Sequence, residues 1–269
     1  MTEPQDTSSM ETPAALPPVV HRGISPNAFY LVFACLVLGA ALVLIHPTLG
    51  VITFAFVCAA WIASVVVHEF GHAYVAHLAG DTSVEEKGYL TLDPLKYSNL
   101  QTTIILPLIA LALGGIGFPG AAVYLREDLM RSARGRSLAS LAGPTGTLAV
   151  FLAIDLVLFG MGRMHWFNPL YAALAFLAYL QATALILNLI PVPGFDGYGV
   201  IRPFLPEGIR VGLRKFEPVA FMVMFALIFF VPQVGEALFG TAAWLTHTLG
   251  VRLDAAQAGM NSFRFWKAL

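Results

Sequence analysis

The chain has 269 residues, 58% of them hydrophobic and only 12% charged, with a formal net charge of −1. Soluble globular domains carry about 25% charged residues, so half that charge between long apolar runs excludes a soluble domain and predicts a multi-pass membrane protein. The near-neutral balance gives no electrostatic reason to expect a nucleic-acid partner.

Residues 1–27 are polar and rich in Pro, Thr and Ser, which reads as a flexible tail. A spanning helix needs about 20 apolar residues, and the candidate segments are 28–45, 51–79, 104–125, 138–160, 169–190 and 217–249. The first is longer than a signal-peptide core of about 7–15 residues and lacks a clear small-residue cleavage site, so it reads as a retained helix. Cys35 and Cys58 fall inside apolar runs without metal-ligand spacing and read as free thiols. Loop 81–103 mixes polar and β-prone residues around Asp93-Pro94, and short strands are expected there.

The third segment holds Pro107, Gly114, Gly115, Gly117, Pro119 and Gly120, a cluster that breaks a helix near its middle. Broken backbone at membrane depth needs shelter from lipid. The segment therefore either re-enters the face it left or spans with a kink. Arg126, Arg131, Arg134 and Arg136 in loop 126–137, and Arg202, Arg210, Arg214 and Lys215 in loop 202–216, put both loops on the cytoplasmic side. If the end of segment two meets residues just after segment five, loop 80–103 shares that side, which favours re-entry. The expected fold is all-α and polytopic, with about five to six transmembrane helices and a re-entrant or β-like segment around 104–125. Segment 217–249 is broken by Pro232 and Glu236.

Within the second segment, Val65–Gly80 reads VVVHEFGHAYVAHLAG. His68 and His72 are four residues apart and share one helix face, so both imidazoles can bind a single tetrahedral zinc. Glu69 points away from that face and can reach a metal-bound water as a general base without being a ligand. Ionisable groups inside a membrane segment are costly, which favours a functional role over coincidence. His77 lies off the face and reads as an interfacial or supporting histidine. A catalytic zinc takes three protein ligands. Asp196, presented after Pro191, Pro193 and Gly194 end the fifth helix, is preferred as the third. Asp155 is the rival, but it lies mid-helix with no turn to position it.

HEFGH on a membrane helix, followed far downstream by NLIPVPGFDG, resembles the site-2 protease family of intramembrane zinc metalloproteases, in its compact bacterial form without PDZ or CBS modules. GYLTLDPLKYSN and LAGPTGT resemble intermediate stretches of that family, and the likeness runs in order from about residue 51 to 200. The resemblance implies one catalytic zinc ion held by His68, His72 and Asp196, with Glu69 as catalytic base and Asn188 helping to position substrate. It further implies a membrane protein with a transmembrane-helix substrate in the lipid bilayer and an active site toward the cytoplasm. Three departures bear on substrate contacts. Thr147 stands where the family usually has asparagine, Tyr198 interrupts the Asp-Gly-Gly pattern, and FPGAAVYL lacks the family's Trp and Lys.

On this reading the chain divides into a cytoplasmic tail 1–27, a first helix and turn 28–50, a catalytic core 51–200, a loop and last membrane segment 201–250, and a C-terminal tail 251–269. Two other functions are compatible with parts of the pattern. A metal transporter would also hold histidines and aspartates inside a bundle, although no internal repeat is visible. An inactive relative could bind membrane helices without cutting them.

Overall fold

A computed structural model describes residues 23–45, 50–97 and 123–267. Most of the N-terminal tail and the Pro/Gly-rich break, with its re-entrant reading, lie outside those residues.

Helix α1 (Pro26–Leu44) starts where the Ser25 side chain accepts from the Asn27 amide and Pro26 supplies a φ already suited to a first turn. Helix α2 (Gly50–Ala79) has 30 residues. That is about 45 Å, longer than a hydrocarbon core of about 30 Å. It stops at Gly80, whose φ of +122° is left to glycine.

The strands expected in 81–103 are absent from residues 81–97. The chain there forms a single short helix, α3 (Ser83–Glu86), and a 3-10 turn at Tyr89–Thr91. Asp81 is the physical reason. Its Oδ1 accepts from the Ser83 amide at 3.0 Å and from Ser83 Oγ at 2.7 Å, while Oδ2 accepts from the Arg126 amide at 2.7 Å. These bonds turn the backbone directly after α2 instead of letting it extend.

Helix α4 (Ala133–Arg163) begins well before residue 138, because Ser132 Oγ caps the Gly135 amide at 3.0 Å. Arg134 and Arg136 therefore lie in its first turn rather than in a loop. Helix α5 (Pro169–Leu189) is capped by Asn168, which accepts from the Tyr171 amide. Short helices α6 (Asp196–Ile201) and α7 (Glu207–Arg214) follow, separated by a 3-10 turn at Arg202–Phe204. Helices α8 (Glu217–Phe230) and α9 (Pro232–Thr248) meet at a 91° bend, since Pro232 has no amide to continue α8 and forces Val231 into an extended conformation.

Four described helices, α1, α2, α4 and α5, are long and apolar enough to cross a membrane, and α8–α9 makes a fifth if the bent pair is one span. Within their most apolar stretches, 72% of α5 is buried against 39% of α2, 28% of α4 and 17% of α1. So α5 is the central helix and α1 peripheral. Small side chains (Ala173, Ala175, Ala178 and Ala182) bring the neighbours close to α5. Outside, Phe29, Tyr30, Phe33 and Leu36 of α1 and Leu152, Leu156 and Phe159 of α4 are exposed. Continuous apolar faces of this kind belong in lipid.

Helix α10 (Leu253–Phe263) turns back onto α5, so tightly that a Cβ at Gly259 would run into the Ala172 carbonyl. Phe263, Phe265 and Trp266 then gather around Phe54 at ring separations of 5.0, 6.1 and 5.8 Å. The start of α2 is sealed by this cluster, and Gly50 lies directly under the Ser262 carbonyl. Cys35 and Cys58 are free, as expected.

Candidate metal centre

Helices α2 and α4 cross at glycines. A Cβ at Gly71 would sit 2.6 Å from the Ala142 carbonyl oxygen, and one at Gly146 would sit 3.0 Å from that of Val67. Without side chains at those positions the two backbones approach closely, and α4 reaches the histidines of α2. His68 Nδ1 lies 2.8 Å from Thr147 Oγ1, and His72 Nδ1 lies 2.8 Å from the Ala139 carbonyl oxygen. A carbonyl only accepts, so His72 carries its proton on Nδ1 and presents a lone pair at Nε2. The two Nε2 atoms are 3.1 Å apart, with the rings crossed at 80°.

The third member arrives from the end of α5. Pro191 and Pro193 stop the helix, Gly194 turns the chain at a φ of +95°, and Phe195 is extended. Asp196 is then the first residue of α6. Gly197 lets α6 tuck beneath the Leu189 carbonyl, and at Gly199 a Cβ would stand 2.9 Å from Ser140 Cβ. Asp196 Oδ1 comes to 3.2 Å from His72 Nε2, and Oδ2 to 3.2 Å from His68 Nε2. Asp196 Oδ2 is nevertheless buried without hydrogen-bond geometry to any partner among the described residues.

The arrangement fits a zinc ion. Donor atoms of His68, His72 and Asp196 all lie within 4.8 Å of one another. Imidazole nitrogens and a carboxylate oxygen turned toward a common point, with the oxygen unsatisfied, repel one another unless a cation lies between them, and two nitrogens with one oxygen are an ordinary zinc donor set. Gly143 keeps the space beside them clear. A Cβ there would fall 2.7 Å from His68 Nε2 and closer still to His72 Nε2.

Glu69 is 2% exposed, and its Oε2 accepts from the Val123 amide at 3.1 Å. With His68, Thr147 and Asn188 it lines a cavity of about 20 Å³ that reaches down between α2, α4 and α5. Asn188 thus faces the site without belonging to the ligand group. Asp155 lies farther along α4 and joins no metal-binding group among the described residues. His77, in the last turn of α2, is also outside the cluster, and its Nδ1 is buried without a partner among the described residues. Sequence reasoning named Thr147 only as a departure bearing on substrate contacts, not as a partner of His68, and missed the Ala139 carbonyl and Gly143. The small-residue spacing of Gly143 and Gly146 was the available signal of a close helix crossing.

On the side of Asp196 away from this cavity, Arg202 pairs with Glu127 and, at 3.5 Å, with Glu217. Burial draws its guanidinium below the usual range, and Glu217 partly offsets that shift. The pairs tie the ligand-bearing turn to the segment before α4 and to the start of α8.

A polytopic helical bundle holding a His-His-Asp donor set beside a buried glutamate defines a membrane-embedded metalloenzyme. The chain is 41% identical over 259 residues, 93% of its length and 97% of the relative's, to the "Putative zinc metalloprotease Rip2" of Mycolicibacterium smegmatis. It is 44% identical over 217 residues, 79% of its length and 81% of the relative's, to the protein of the same name from Mycobacterium tuberculosis strain H37Rv. Against the "Putative zinc metalloprotease YwhC" of Bacillus subtilis it is 31% identical over 181 residues, 65% and 80% of the two chains. The chain belongs to the site-2 protease family of zinc metalloproteases. No family model and no solved structure matches it.

Proposed function

We propose that the protein is an intramembrane protease that hydrolyses a peptide bond within or beside a transmembrane helix of a membrane-protein substrate. It uses one zinc ion held by His68, His72 and Asp196, and its active site faces the cytoplasm. The observation that carries this reading is the convergence of those three side chains next to buried Glu69, on a helix whose neighbours present lipid-facing surfaces. The Arg126 amide donates to Asp81, the Arg131 amide to the Ala79 carbonyl, and Arg202 pairs with Glu127, so arginines gather where α2 ends just beyond His72, which supports the cytoplasmic orientation.

Zinc in this donor set supplies a Lewis acid that brings the pKa of water toward about 7 and polarises the scissile carbonyl. Glu69 takes the proton of the attacking water and returns it to the leaving amine as the C–N bond breaks. The Val123 amide holds one Glu69 oxygen at 3.1 Å and leaves the other for that exchange. Thr147 and the Ala139 carbonyl fix the ring orientation of the two histidines. Asn188 lines the same cavity, which supports a role in positioning substrate. A helical substrate satisfies its own carbonyls and must unwind locally before one can be attacked.

The test is cleavage of single-span peptides by purified protein in detergent, with zinc content assayed on the same samples. Glu69→Gln is expected to retain zinc and lose cleavage, and Asp196→Asn to lose both. Cleavage surviving in Glu69→Gln would remove the base from the mechanism. Zinc-loaded wild type that cuts no peptide would sink the protease reading.

A further inference from the structure

Between the turn that carries Asp196 and helix α8, residues 203–216 leave the bundle and return to it. The base of this excursion is closed by Arg202, which pairs with Glu127 and, at 3.5 Å, with Glu217. Nothing within it is buried. A Cβ at Gly208 or Gly212 of α7 would meet no atom within 4 Å. Isolated helices shorter than about 12 residues are marginal in water, and α7 has eight. It needs a surface to lie on.

Its sequence specifies that surface. The backbone stays helical through Lys215 and Phe216, and at 3.6 residues per turn Ile209, Leu213 and Phe216 fall within an arc of about 60°. Glu207, Arg210, Val211, Arg214 and Lys215 share the other side. Phe216 is 59% exposed, and Phe204, just ahead of the helix, 60%. The excursion holds three cations against one acid. Glu207 answers only Arg210, at 2.9 Å, and Arg214 and Lys215 join no ion pair among the described residues. The chain then re-enters apolar surroundings at α8, whose Met222, Val223 and Phe230 are exposed. The apolar side of α7 therefore hangs at the edge of the same bilayer, flanked by unanswered positive charge. A second copy of the chain is a poorer occupant. A stable interface needs about 800 Å² from each partner, far more than three side chains on two turns supply, and pairing two such faces would bring like charges together.

We propose that α7 is an interfacial helix that docks on anionic phospholipid, with Ile209, Leu213 and Phe216 seated among the acyl chains and Arg210, Arg214 and Lys215 on the headgroup phosphates. Apolar burial and attraction to negative headgroups act together at such a helix, and long basic side chains reach the phosphates from its flanks.

The test uses the full chain carrying Cys35→Ala and Cys58→Ala, with Ile209→Cys or Val211→Cys labelled by the environment-sensitive fluorophore NBD. Ile209 and Val211 are exposed alike, at 51% and 50%, but lie on opposite sides of α7. Protein is reconstituted into phosphatidylcholine vesicles with or without about 30% phosphatidylglycerol, and fluorescence lifetimes give the ratio of lipid-seated to water-exposed label. With phosphatidylglycerol the Ile209→Cys label should be seated and the Val211→Cys label should stay in water. Arg214→Gln and Lys215→Gln should each lower the ratio at Ile209→Cys by about fivefold. Salt at about 1 M, where the screening length falls to about 3 Å, should bring it to the value in phosphatidylcholine alone without any change of sequence. Labels that respond alike at the two positions, or a ratio at Ile209→Cys indifferent to phosphatidylglycerol and salt, would overturn the proposal. So would a disulfide between two Ile209→Cys chains with shielding that grows with protein density in pure phosphatidylcholine, the mark of a second copy. Seating of α7 requires neither zinc nor cleavage, so its failure leaves the protease reading standing, and a protein that cuts no peptide leaves the docked helix standing.

Discussion

Thr147 Oγ1 lies 2.8 Å from His68 Nδ1, so a threonine on α4 sets the ring of a histidine on α2. This is the position at which the family resemblance leads one to expect asparagine, and here a hydroxyl lies against a histidine of the candidate metal centre. Thr147→Val keeps the shape and removes the partner, which should weaken zinc binding about 10–100-fold. Thr147→Ser should retain most of the affinity. Competition with a fluorescent chelator reads both. Equal zinc affinity in wild type and the valine variant would mean that packing alone orients His68.

Gly143 faces the two Nε2 atoms, and any side chain there enters the space between them. Gly143→Ala should displace the ligands and cost at least about 100-fold in cleavage, the usual consequence of misplacing reacting groups by about an ångström. Helical content by circular dichroism should be unchanged while zinc content falls. A fully loaded, fully active alanine variant would show that the helices separate freely at this crossing.

Zinc that binds only the folded arrangement must stabilise it. At a free concentration of 100 times Kd the gain is about 2.7 kcal/mol. Chelation should therefore lower the unfolding temperature of wild type, and zinc should restore it. Asp196→Asn should respond far less. An unfolding temperature indifferent to zinc in wild type would contradict a preformed site.

The junction between α1 and the core should be sensitive to acid. Asp93 accepts from Ser25 Oγ at 2.9 Å, Asn27 Nδ2 at 3.0 Å and the Leu95 amide at 3.0 Å. Burial pushes its carboxyl up, but the bonds from Asn27, Leu95 and Ser25 outweigh that and hold it below the usual carboxylate range. A lowered folded pKa contributes stability that is complete above the unfolded value of about 3.9 and disappears as pH falls through the folded one. Wild type should exceed Asp93→Asn by about 1–3 kcal/mol at neutral pH, with the gap closing below about pH 4. Denaturation at stepped pH measures it. A gap constant from pH 7 to pH 3 would rule out the charge as its source.

Much of the site is legible in the sequence because its parts are local. Four-residue spacing places His68 and His72 on one face, and the Pro191-Pro193-Gly194 turn announces that Asp196 is presented rather than buried in a helix. What sequence does not carry is the contact across the α2–α4 crossing. The Ala139 carbonyl is backbone and has no residue signature, and Thr147 stands out only against the family pattern, which does not say that it meets His68. Residues 81–97 misled in the opposite direction. Their β-prone side chains predict strands, but the Asp81 carboxylate, bonded both to Ser83 and to distant Arg126, overrides that preference. Residues 251–269 contain no run long enough to span a membrane, so nothing in their composition signals how tightly Leu253–Phe263 joins the core.

The helix that bears both histidines is sealed at its first turn by Ser262, Phe263, Phe265 and Trp266, from the opposite end of the chain. During synthesis α2 is therefore made early and completed late. Its histidines enter the membrane long before the residues that close its start have left the ribosome. The nascent chain thus carries both histidines on a helix whose first turn is still uncovered, and that turn is packed only once Ser262, Phe263, Phe265 and Trp266 have been made.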